Sequence, residues 1–151
     1  MKLACVLVLA CSSSCGTPEC DVDCDDGVTI DLGPRATYGG SDKLNLHVCV
    51  GDDRCGDAVV TEHDCASVHA DPTADAQLII SCAPNAELTV FAKATSPLGP
   101  GSQNVSVSVT DATGTKLTAA TKSVATRPSH PNGPDCEPAC HQGELSLRPQ
   151  S

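Results

Sequence analysis

Eleven cysteines in 151 residues constrain this chain more than any other feature of it. Thiols at that density persist as disulfides in an oxidising compartment and are rare where thiols are kept reduced. The chain therefore reads as exported. Counted from Cys11, Val, Leu, Ile and Phe supply 25 of 141 residues, about 18%. With a net charge of −10, so small an apolar share would mark a disordered chain if those residues were scattered. They are instead periodic, and cysteines can staple what a thin core cannot hold. A native disulfide contributes about 2–4 kcal/mol, against about 5–15 kcal/mol for a whole domain.

The periodicity is that of strands. Val28, Ile30 and Leu32 alternate with polar residues, as do Leu44, Leu46, Val48 and Val50, and Val105, Val107 and Val109. Alternation places successive side chains on opposite faces, so one face is buried. Further strands are expected at 58–61, 77–82, 88–92, 116–124 and 145–147. Gly33-Pro34, Tyr38-Gly39-Gly40-Ser41 and Asp111-Ala112-Thr113-Gly114 read as turns. Pro128, Pro131, Pro134 and Pro138 punctuate an extended stretch. No window carries a sustained 3.6-residue period, and the stretch 62–76 has room for one helical turn before Pro72. The expected fold is all-β: an immunoglobulin-like or fibronectin-like β-sandwich of seven or eight short strands, stapled by disulfides. A true antibody-type domain is not expected, because no Trp exists to pack between two core cysteines.

The N-terminus carries an address. Lys2 precedes a short apolar run, residues 3–10, far below the roughly 20 residues of a membrane span. Val8-Leu9-Ala10-Cys11 resembles the lipobox of bacterial lipoproteins, in which an aliphatic residue at −3 and a small residue at −1 precede a lipid-bearing Cys. The resemblance implies a signal peptide over 1–10, lipid attachment at Cys11 and anchorage of the mature chain to a membrane. Residues 11–26 then read as an acidic tether, 27–148 as the folded domain and 149–151 as a tail.

Charge and composition narrow the partners. A pI near 4.6 opposes nucleic-acid binding, which needs basic groups to neutralise phosphates. Tyr38 and Phe91 are the only aromatic residues, too few for a base-stacking platform. Asp21-Val22-Asp23-Cys24-Asp25-Asp26 alternates carboxylates as calcium loops do, but position six is Asp26 rather than Gly and position twelve is Leu32 rather than Glu. Glu62, His63, Asp64, Cys65 and His69 carry ligand chemistry without a zinc-site spacing, so no metal is expected. Cys20-x3-Cys24 and Cys136-x3-Cys140 lack the Cys-x-x-Cys spacing of redox motifs. No nucleophile elbow or phosphate loop occurs, so neither catalysis nor a cofactor is expected.

Cys49-Val50-Gly51-Asp52-Asp53-Arg54-Cys55, Val107-Ser108-Val109-Thr110-Asp111-Ala112-Thr113-Gly114 and the segment Pro131–Cys140 together resemble small exported β-sandwich proteins of high-GC bacteria, over roughly residues 24–148. That likeness implies a fold and no activity; Cys15, Cys20, Cys65 and Cys82 fall outside its pattern. If Val50 pairs with Arg54 around a tight turn, Cys49 lies opposite Cys55 and the two bond on the face away from Leu46 and Val48. The remaining expected pairs are Cys65 with Cys82, Cys136 with Cys140 and Cys20 with Cys24. Cys15 is then left as an unpaired thiol. The function these features favour is that of a non-catalytic cell-envelope lipoprotein, facing outside the cytoplasm and presenting its domain to an envelope protein or ligand. The competing reading is a soluble secreted β-sandwich acting as an inhibitor or weak divalent-cation binder.

Overall fold

The computed structural model describes residues 23–61, 68–69, 74–82, 87–131, 133–134 and 139–148. Its strands are β1 (Gly27–Pro34), β2 (Lys43–Val50), β3 (Arg54–Thr61), β4 (Val68–His69), β5 (Ala76–Cys82), β6 (Glu87–Ala94), β7 (Gly101–Asp111), β8 (Lys116–Ser129) and β9 (Cys140–Ser146). The protein is all-β. A 3-10 turn, Arg35–Tyr38, follows β1.

The strands hydrogen-bond in the order β3-β2-β7-β8-β9-β1-β6-β5-β4. The sheet folds over so that β2 and β3 face β5 and β6. Strand β8 makes the fold possible. Its residues 116–126 pair with β7, and residues 127–129 pair with β9. Pro128 sits where β8 has already left β7, so its missing N–H breaks no rung on that side. The strand expected over 116–124 thus runs on through Pro128 to Ser129.

Alternation delivers the core. Val28, Ile30, Leu44, Leu46, Val48, Val50, Leu78, Val90, Val105, Val107 and Val109 are buried in one cluster, while the residues between them face outward. Where the two layers meet at their open side, Gly56 lies so close to Ala76 that a Cβ would run into the Ala76 carbonyl oxygen. Any side chain there would push β3 from β5.

β1 carries a bulge that skips Leu32 in the ladder with β6. Tyr38, buried beneath the 3-10 turn, donates its hydroxyl to the Leu32 carbonyl at 2.8 Å. Burial pushes the Tyr38 phenol above its ordinary pKa, and the Asp31 carboxylate adds to the effect. The phenol therefore stays protonated as donor. Tyr38, read from the sequence as part of a turn, is also a core residue.

The last strand differs from expectation. It starts at Cys140 and runs to Ser146, parallel to β1, with Gly27 opposite Gln142 and Asp31 opposite Ser146. Leu147, expected in it, lies just beyond and donates its N–H to the Asp31 carbonyl. Arg148 closes the edge, pairing through Nε with Asp31 and through both terminal nitrogens with Glu87.

Candidate functional site

Two covalent features mark the ends of this fold. The first is a disulfide between Cys24 and Cys140, which corrects the expectation that each would bond within its own Cys-x3-Cys segment. The reason is the parallel β1–β9 pairing. Continued outward from Gly27–Gln142, it sets residue 24 beside 139–140. Cys140, only 2% exposed, heads β9 against the root of β1. Cys20 and Cys136, the partners expected from local spacing, lie outside the described residues.

The root of β1 also departs from the expected tether. Asp26 accepts N–H bonds from Leu98 at 2.6 Å and His141 at 2.5 Å through its two carboxylate oxygens. Its own carbonyl accepts from Ala94. Asp25 pairs with Lys93 at 2.7 Å. Residues 24–26 thus belong to the folded body, and both carboxylates have protein partners. Absent apolar alternation concealed this, because the segment is held by polar bonds and one disulfide rather than by burial.

The second feature is the β2–β3 hairpin. Val50 pairs with Arg54 around Gly51-Asp52-Asp53, with Gly51 at φ +76°, and Cys49 faces Cys55. The two cysteines are disulfide-bonded with Cα atoms 4.0 Å apart. Cys49 lies half-exposed on the face opposite buried Leu46 and Val48. One rung inward on that face, His47 lies opposite Asp57. The His47 Nδ1 is 2.8 Å from an Asp57 carboxylate oxygen, and its Nε2 is 3.3 Å from the Cys49 sulfur. The sequence reading missed His47 and Asp57. The register that placed Cys49 opposite Cys55 also places 47 opposite 57, so the signal was present in the numbering.

Cys82 is in a disulfide as well. Its expected partner Cys65 lies outside the described residues, as do Cys11, Cys15, Glu62, His63 and Asp64; of His69 only the backbone is described. Among the described residues no helix is long and apolar enough to cross a membrane. Comparison with known proteins returns no matching family model, no similar characterised protein and no similar solved structure.

Proposed function

We propose that the chain is a cell-envelope lipoprotein that holds a non-catalytic, immunoglobulin-like β-sandwich outside a membrane through lipid on Cys11, as a binding or structural module. The observation that carries the reading is the position of the Cys24–Cys140 disulfide. It fixes the chain to the last strand at the point where a tether from Cys11 would join the domain. A pull on the lipid end would load this covalent bond before any rung of β1. The thirteen residues from Cys11 to Cys24 reach at most about 45 Å when extended, so the module would stay near the bilayer.

Strand order supports the immunoglobulin-like reading. The wing β3-β2-β7-β8 has the order C′-C-F-G, and β1-β6-β5 has the order B-E-D. Strand β9 takes the place beside B that strand A holds in that fold, but runs parallel to its neighbour. Tying the final strand back beside the first strand gives the Cys24–Cys140 bond its place.

The competing soluble cation-binder reading is less well supported. The Asp25 and Asp26 carboxylates already hold Lys93 and backbone N–H groups. Fractionation of cells expressing the wild type and Cys11→Ala tests the proposal. Wild type is expected in the membrane fraction and the variant in the soluble exported fraction. Equal membrane association of both would overturn it.

A further inference from the structure

We propose that the β2–β3 hairpin, once its disulfide is reduced, is a zinc site built from His47 Nε2, Cys49 Sγ and Cys55 Sγ, with Asp57 orienting the histidine. The three ligand atoms lie within 4.8 Å of one another. Tetrahedral zinc, with Zn–S of about 2.3 Å and Zn–N of about 2.05 Å, sets neighbouring ligand atoms about 3.5–3.8 Å apart. The existing 3.3 Å between His47 Nε2 and Cys49 Sγ is already close to that edge. The two sulfurs need only separate from bonded distance, which facing positions of one hairpin rung allow.

The pairing of Nδ1 with Asp57 at 2.8 Å is what a ligating imidazole needs. It fixes the tautomer that leaves Nε2 as the lone-pair donor, and it holds the ring's rotation. Asp57 is thus a positioning residue rather than a ligand. His47 and Asp57 are exposed, so the fourth metal position opens to solvent. A shallow depression bordered by His47, Ser106, Ser108 and Lys116 gives water access to it.

The site exists only in the dithiol state, because a disulfide sulfur is a poor ligand. A dithiol reductant, such as a thioredoxin-type protein, transfers two electrons to the Cys49–Cys55 bond. The bond breaks, each sulfur takes up one proton, and the reductant becomes a disulfide. Zinc then displaces the two protons and binds the two thiolates with the neutral imidazole. Reoxidation by a disulfide donor reverses the sequence and releases the metal. Zinc would thereby hold the hairpin closed when its covalent staple is open.

The test uses the mature protein reduced with a phosphine, titrated with Zn(II) against a chromophoric chelator, with hairpin amide resonances followed in the same sample. Reduced wild type is expected to bind zinc tightly and to shift the amides of residues 47–57; oxidised protein should show neither effect. Asp57→Asn should weaken binding about 10- to 100-fold and His47→Ala at least as much. Both positions are exposed, so the fold should survive either change. The paired variant Cys49→Ser with Cys55→Ser reports any zinc held by other reduced cysteines. In Co(II)-loaded samples, sulfur-to-metal charge-transfer absorption should appear in wild type and vanish in that variant. Equal affinity of wild type and the serine variant would overturn the proposal, as would His47→Ala binding zinc like wild type.

Discussion

Cys24 and Cys140 are bonded with Cα atoms 5.3 Å apart although 116 residues separate them. The bond closes nearly the whole fold into one loop, because every strand but β9 lies wholly between its ends. A crosslink of that span removes more freedom from the unfolded chain than a short one does.

In a Cys20→Ser, Cys136→Ser background, where no second link can close the same loop, adding Cys24→Ser with Cys140→Ser should therefore lower unfolding stability by about 4–5 kcal/mol on the chain-entropy scale. Non-reducing urea denaturation measures it. The native sheet should persist in the variant, since Asp26 still ties His141, Leu98 and Ala94 together. A loss below about 1 kcal/mol would mean that the bond constrains little.

The same pairing predicts a second rung. Cys20 and Cys136, outside the described residues, share the 116-residue separation of Cys24 and Cys140. Cys20 precedes Cys24, and Cys136 precedes Cys140, by four residues, and β1 and β9 run parallel from Gly27 and Gln142 onward. Peptide mapping without reduction should recover a Cys20–Cys136 link, leaving Cys15 as the odd thiol. Recovery of Cys20 or Cys136 as a free thiol, or bonded elsewhere, would break the extrapolated register.

How much of this was legible follows from range. Leu44 to Val50 and Val105 to Val109 announce their strands and buried face by alternation alone. Cys49–Cys55 was legible because a three-residue turn fixes the register of a hairpin, and His47–Asp57 was legible by the same count. Cys24–Cys140 was not. It depends on β9 running parallel beside β1, a contact between chain ends that no local period encodes. The end of β8, expected at Val124 and found at Ser129, was hidden for a related reason: after Thr126 the strand leaves β7 for β9, a change of neighbour that no local period shows.

The β7–β8 turn should be sensitive to acid. An Asp111 carboxylate oxygen accepts from the Thr113 hydroxyl and from the Thr113 and Thr115 N–H groups. These bonds, the Thr113 hydroxyl foremost, hold its pKa below the ordinary 3.8. Because the folded value is depressed, the stabilisation is complete above 3.8 and is lost as pH falls through the lower folded value. The Thr113 and Thr115 amide resonances should titrate with a midpoint below 3.8, and Asp111→Ala should abolish that titration and speed their hydrogen exchange. A midpoint at or above 3.8 would contradict the account.

The most direct measurement is intact mass spectrometry of the mature protein extracted from membranes with detergent. A tethered module predicts an N-terminus at Cys11 bearing diacylglycerol, with or without a further acyl chain, and Cys24–Cys140 intact on the same molecule. A mature chain that begins at another residue, or that carries Cys11 unlipidated in a disulfide, would contradict it.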